Sequence, residues 1–195
     1  TLSAAEKRRV VEIVVAVSAG RAPVLAGAGG YDTRGVIAQV AEYAALGVQG
    51  ILSVTPYYNK PTQEGLFQHY RAIADSTPLP IVLYNVPGRT VADLQHDTVM
   101  RLAQVDRIVG IKEATGNLER AQWLIHDAPK DFAIYSGDDG TAVALMLCGG
   151  HGNVSVSANL VPKPMHELCV AAMAGRAKDA MAIQMALLPL HKLLF

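Results

Sequence analysis

Apolar, β-branched runs alternate along this chain with longer stretches of helical periodicity. The runs PVLAGAG (23–29), GILSVTPYY (50–58), IVLYNVP (81–87), IVGIKEA (108–114), FAIYSGDD (132–139) and NVSVSAN (153–159) predict six strands. Between and after them, 33–47, 63–76, 94–104, 117–128, 139–148 and 163–192 predict helices, the last dividing into two. A strand every twenty to thirty residues or so, each followed by a helix, marks repeated βα units and a parallel sheet. Ahead of the first strand, Ser3-Ala4-Ala5-Glu6 is a capping box that starts a further helix. Val10, Ile13, Val14 and Val17 fall on one face of it. No linker, low-complexity segment or change of composition divides the chain, so residues 1–195 read as one domain.

Two α/β architectures suit this pattern. A doubly wound sheet normally carries a glycine fingerprint after its first strand, but GAGGYDT has Asp32 where the third glycine belongs. In a TIM barrel, functional groups come from the ends of several strands instead. Here Tyr57 and Tyr58, Tyr84 and Asn85, Lys112 and Glu113, Asp138 and Asp139, and Ser157 and Asn159 close successive runs. A barrel is therefore expected, with six of its eight βα units in the sequence. The last helix, about 176–195, is read as the start of a C-terminal helical region.

Composition narrows the function classes. The 195 residues have formal net charge +0, with 51% hydrophobic and 17% charged residues, enough apolar material for a sizeable core. Balanced charge gives no footprint for nucleic acid or an anionic membrane. Lys7-Arg8-Arg9 before VVEIVVAVSAG has the look of a signal peptide, but Glu12 interrupts the apolar run and no stretch is long enough to span a bilayer. Cys148 and Cys169 are far apart, which favours a reducing compartment over a disulfide framework. The six histidines are scattered without metal spacing, and His151 in GGHG is the most suggestive of them.

Lys112 is the candidate with the sharpest chemistry. A strand-end lysine either reaches solvent and pairs with an acid such as Glu113, or stays desolvated. A desolvated lysine loses its proton readily, and the neutral amine attacks a ketone to form a Schiff base. Gly110, two residues earlier on the same side of the strand, would leave room for a small substrate. Tyr84 reads either as a core aromatic or as a proton shuttle. Arg89, in the loop after that strand, is either a surface residue or a carboxylate clamp. Tyr57 and Tyr58 suit packing or an interface. Gly149-Gly150-His151-Gly152 reads as a tight turn. Asp138-Asp139 suits the N-terminus of the next helix.

Taken together, TPYYNKPTQEGL, LPIVLYNVPGRT, IVGIKEATGN, SGDD and GGHGNVSVSAN resemble the dihydrodipicolinate synthase family, over the whole chain and in the family's order. The resemblance implies a TIM barrel of the pyruvate-dependent aldolases, a class of lyase that uses no metal or separate cofactor. It implies condensation of pyruvate with L-aspartate 4-semialdehyde on the diaminopimelate and lysine route. Lys112 matches the Schiff-base lysine, which holds pyruvate as a covalent imine, and Tyr84 the proton-relay tyrosine. Tyr58 matches a relay tyrosine inserted into the neighbouring subunit's site. Arg89 matches the arginine that holds the aldehyde's carboxylate, and Val154 a position that contacts pyruvate. A cytoplasmic homo-oligomer, tetramer or dimer, is implied.

The departures set further expectations. The family's G-T-T-G-E segment is absent, and Thr1-Leu2 match the residues just after it, so the chain reads as a fragment lacking the first two strands and most of the C-terminal helical region. Such a fragment is expected to be inactive alone, with open edges and exposed core. Many relatives bind L-lysine at an interface site, whose positions correspond here to Ala4, Lys7, Tyr31 and Gly35, with only Tyr57 retained. Insensitivity to lysine is expected. N-acetylneuraminate lyases and 2-keto-3-deoxy sugar acid aldolases share the lysine and tyrosine but generally lack the arginine. A non-catalytic protein on the same fold would be expected to lose these side chains.

Overall fold

The computed structural model describes residues 2–194. In chain order its elements are helix α1 (Ala4–Ser18), strand β1 (Leu25–Gly27), α2 (Thr33–Ala45), β2 (Gly50–Val54), α3 (Gln63–Asp75), β3 (Ile81–Asn85), the one-turn α4 (Pro87–Thr90), α5 (His96–Leu102), β4 (Ile108–Glu113), α6 (Leu118–Asp127), β5 (Ala133–Ser136), α7 (Ala142–Leu147), a 3₁₀ turn (Ser157–Asn159), α8 (Pro162–Met173) and α9 (Ala177–Leu193). The long final helical stretch divides in two as its pattern predicts.

The strands form one parallel sheet in the order β1-β2-β3-β4-β5. A doubly wound sheet reverses its strand order at a switch point. Sequential order without reversal is the connectivity of a (β/α) barrel, of which this sheet is a part. The two faces of the sheet differ accordingly. Leu83, Ile111 and Ile134 lie in register and are fully or almost fully buried in a core shared with the helices. Burying each such side chain is worth about 1.5–3 kcal/mol. The next register row is Val54, Tyr84, Lys112 and Tyr135, whose side chains point to the opposite face. The alternation therefore sends the candidate lysine and tyrosine to the inner side of the barrel wall.

The predicted sixth strand, 153–159, is not formed as such. It is reduced to a single parallel bridge between Ser136 and Asn153, followed by the 3₁₀ turn. The His151 amide donates to Ile134 O at 2.8 Å and the Val154 amide to Ser136 O at 2.9 Å, so pairing begins as in a strand. It ends because the Asp139 carboxylate accepts from the Val156 and Ser157 amides at 3.1 and 2.8 Å and curls the chain. The other strands are shorter than their apolar runs, since residues beyond Gly27, Val54, Asn85 and Ser136 turn into the loops at the barrel mouth.

Helix α1 starts as its capping box predicts: Ser3 Oγ accepts from the Glu6 amide, and Glu6 Oε2 accepts from the Ser3 amide at 2.7 Å. Its apolar stripe does not pack inward. Val10, Ile13, Val14 and Val17 are exposed, while Val11 and Val15 lean on the main core. The expected position of Thr1 next to a G-T-T-G-E segment lies outside the described residues, as does Phe195 at the end of the last predicted helix.

Candidate functional site

Lys112 is the last residue but one of β4, with only 8% of its surface exposed. Its Nζ stands 4.0 Å from the centroid of the Tyr84 ring, on the neighbouring strand at the same register position. Burial lowers the lysine's pKa from its usual value, and the nearby Asp139 charge opposes part of that shift. Burial likewise raises the Tyr84 pKa, with the Arg89 charge working against it. The pair thus combines an amine that gives up its proton more easily than a free lysine with a tyrosine that holds its own. That combination suits an amine nucleophile beside a proton donor.

Glycine supports this pair, though not in the expected way. A methyl group on Gly110 would come within 2.4 Å of Ala133 O, so this glycine lets two strands approach and does not open space for substrate. Space for the lysine comes from Gly137, where a methyl group would lie 2.8 Å from Lys112 Cε and 2.9 Å from its Cγ. Gly137 was legible only as the glycine of SGDD just past a strand.

Behind the inner row lies a polar network that sequence reasoning missed. Asn85 and Glu113 follow Tyr84 and Lys112 directly and therefore point to the other face, where both are buried. Asn85 Nδ2 donates to Asp93 Oδ1 at 3.0 Å and to Glu113 Oε2 at 3.3 Å, and Asn85 Oδ1 accepts from the Leu94 amide at 3.0 Å. Arg120 from α6 reaches Asp93 at 2.9 Å and Glu113 at 3.3 Å, and donates to Leu94 O. Glu113 Oε1 also accepts from the Thr115 amide at 2.8 Å. The network pins both strand ends and the far side of the loop that carries Arg89. Its only sequence signal was the polar residue after each candidate.

Arg89 lies on the single turn α4, where a loop was expected. Pro87 starts that turn and Val91, at φ +61°, ends it. Arg89 is exposed at the rim, close enough for its charge to act on Tyr84. Tyr58 is not gathered to the pair. It is 88% exposed and stands at φ +70°, in the left-handed region that non-glycine residues seldom adopt. Beside it Tyr57 packs edge-on against Tyr31 with ring centroids 5.5 Å apart, and Asn59 Nδ2 donates to Tyr31 O at 3.4 Å. Val154 is half-buried past β5 and lines a hollow of about 550 Å³ with Leu52, Val82 and Tyr135 on the inner side of the sheet.

The acid pair Asp138-Asp139 divides its roles. Asp138 Oδ2 accepts from the Thr141 amide and hydroxyl at 3.0 and 2.7 Å, as a helix-start residue should. Asp139 turns inward and is 1% exposed. His151 Nδ1 accepts from the Ile134 amide at 3.1 Å, a backbone role that fits the tight-turn reading of GGHG. Cys148 and Cys169 are free thiols. Among the described residues, no group of His, Cys, Asp or Glu is arranged to hold a metal ion. Nor is any described helix long and apolar enough to cross a membrane.

Comparison with known proteins gives one consistent result. The model of the dihydrodipicolinate synthetase family matches residues 1–195. The chain is 62% identical over its whole length to the 4-hydroxy-tetrahydrodipicolinate synthase of Albidiferax ferrireducens, of which it covers 66%. It is also 62% identical to that of Methylibium petroleiphilum, covering 67%. The crystal structure of the chloride-inhibited dihydrodipicolinate synthase from Acinetobacter baumannii complexed with pyruvate superposes with TM-score 0.98 at 48% identity, over the whole chain and 67% of that structure. The chain thus spans about two thirds of the length of these relatives.

Proposed function

We propose, from the premise that the chain belongs to the dihydrodipicolinate synthetase family, that it carries the imine-forming centre of a lyase. This lyase joins pyruvate and L-aspartate 4-semialdehyde into 4-hydroxy-tetrahydrodipicolinate, on the route to diaminopimelate and lysine. The observation that carries this reading is Lys112 Nζ, buried at a strand end and 4.0 Å from the Tyr84 ring.

The chemistry follows from that arrangement. Neutral Lys112 attacks the ketone carbon of pyruvate, and loss of water leaves a protonated imine. The imine draws electrons from the adjacent methyl group, which gives up a proton and becomes an enamine carbon. That carbon attacks the aldehyde of the second substrate, whose oxygen takes up a proton. The amino group of the new chain then displaces Lys112 from the imine carbon and closes the ring. Tyr84 donates and receives the protons of these steps. No metal or separate cofactor enters, because the imine itself is the electron sink.

Arg89, at the rim beside Tyr84, is assigned to the carboxylate of the aldehyde substrate. Val154 is assigned to the pyruvate subsite. Tyr58 is assigned to the site of a second copy in a homo-oligomer. Its exposure and left-handed backbone suit a side chain held out for a partner. A cytoplasmic enzyme insensitive to lysine completes the reading: Ala4, Lys7 and Gly35 line a cleft whose one carboxylate, Glu42, is already paired with Arg8 at 3.1 Å.

The test is a substrate panel on the protein expressed from its complete gene. Pyruvate with aspartate semialdehyde should turn over, and Arg89→Ala should raise the KM for the semialdehyde at least tenfold while sparing pyruvate. Turnover of sugar aldehydes in preference to the semialdehyde would assign the centre to another pyruvate-dependent aldolase.

A further inference from the structure

Asp139 is the most heavily bonded buried carboxylate near the candidate lysine, and nothing in its sequence context beyond a helix start accounts for it. Its Oδ1 accepts from Asn153 Nδ2 at 2.8 Å. Its Oδ2 accepts from the amides of Val156 and Ser157 at 3.1 and 2.8 Å. Its own carbonyl accepts from Gln184 Nε2 of α9 at 2.9 Å. Ser157 Oγ then meets Nδ1 of the buried His191, also on α9, at 2.7 Å.

The three carboxylate bonds fall on one segment, the stretch that carries Val154. On one flank the segment is tied to β5 by the Ser136 bridge, next to Tyr135 in the row that holds Lys112. From Val156 onward its backbone amides leave the sheet and turn to Asp139. A carboxylate suits this task because it accepts on both oxygens at once, and charge-assisted bonds to buried donors are stronger than neutral ones. An amide in its place would offer a donor where an acceptor is required.

We propose that Asp139 is a positioning residue of the keto-acid subsite: it fixes the Asn153–Ser157 segment, and with it Val154, at the set of the barrel wall where the substrate bound to Lys112 is held. The inference rests on the imine-forming reading of Lys112. The Asp139 charge also favours a cation at the lysine nitrogen, which the imine intermediate carries.

Steady-state kinetics of Asp139→Asn and Asn153→Ala in the protein expressed from its complete gene test this, alongside borohydride trapping of pyruvate. D139N is expected to raise the KM for pyruvate at least tenfold, with the semialdehyde KM within twofold, and to expose the Val156 and Ser157 amides to hydrogen exchange. N153A removes one of the three donors and should raise the pyruvate KM about threefold. It decides the matter if D139N does not fold. A residue that merely stabilises the fold would lower the active fraction and leave both KM values in place, and that result overturns the inference. A wild type that forms no pyruvate adduct overturns the catalytic reading and this inference with it. An adduct-forming wild type with indifferent variants overturns this inference alone.

Discussion

Lys112 and Tyr84 share one register position on adjacent parallel strands, and the amine nitrogen sits 4.0 Å from the centre of the phenol ring. The ring face attracts a cation at that nitrogen, whether ammonium or protonated imine. The hydroxyl, at the ring's far end, is chemically separable from that attraction.

Tyr84→Phe separates those two contributions. The ring and its attraction for the cation remain, so pyruvate should still be trapped on Lys112 by borohydride. Proton transfer loses its donor, and kcat should fall by roughly 10²–10⁴. Pre-steady-state trapping set beside turnover checks this; equal loss of both would show that the hydroxyl is needed to form the imine itself.

Glu113 is buried with its charge answered by Arg120, Asn85 and the Thr115 amide. Arg120→Met removes the cation and leaves a buried carboxylate without its ionic partner. Stability should fall by about 3–5 kcal/mol, and the double variant with Glu113→Gln should recover part of it. Urea unfolding of the three proteins measures both effects. A loss below 1 kcal/mol would mean that water reaches Glu113.

His69 predicts a pH dependence. Burial lowers its pKa from 6.5 to about 4, while Thr33 Oγ1 lies 2.8 Å from its Nδ1. Above pH 6.5 the ring is neutral in both folded and unfolded chains and has no effect. As pH falls below 6.5 the unfolded chain takes up the proton first. Protonation of the unfolded chain therefore lowers stability progressively until the folded pKa is reached, a total of about 3 kcal/mol. His69→Asn should flatten this part of the stability profile between pH 6.5 and 4, as read by thermal unfolding across pH. An unchanged slope would place the acid sensitivity elsewhere.

Much of the fold was legible because each βα unit announces itself locally. The apolar runs, the capping box at Ser3, and the break between α8 and α9 need no long-range information. The sixth strand misled because its alternation is real, but the Asp139 carboxylate, on the preceding loop, competes for the amides of Val156 and Ser157. The stripe on α1 lies on one face as read, but periodicity defines a face without saying what covers it. At the site, Lys112 and Tyr84 were readable from their place at strand ends. Gly137 and the Asn85–Asp93–Glu113–Arg120 network were not, because their roles arise only when neighbouring strands and α6 come together. Gly110 lay in the right place for the wrong reason, as its close contact is with the Ala133 backbone.

The central claim is that Lys112 is the nucleophile. Borohydride reduction in the presence of pyruvate, on the protein expressed from its complete gene, followed by peptide mapping, addresses it most directly. The account predicts a single reduced pyruvate adduct on the peptide containing Lys112, absent in Lys112→Met. An adduct on any other lysine, or one that survives in K112M, would contradict it.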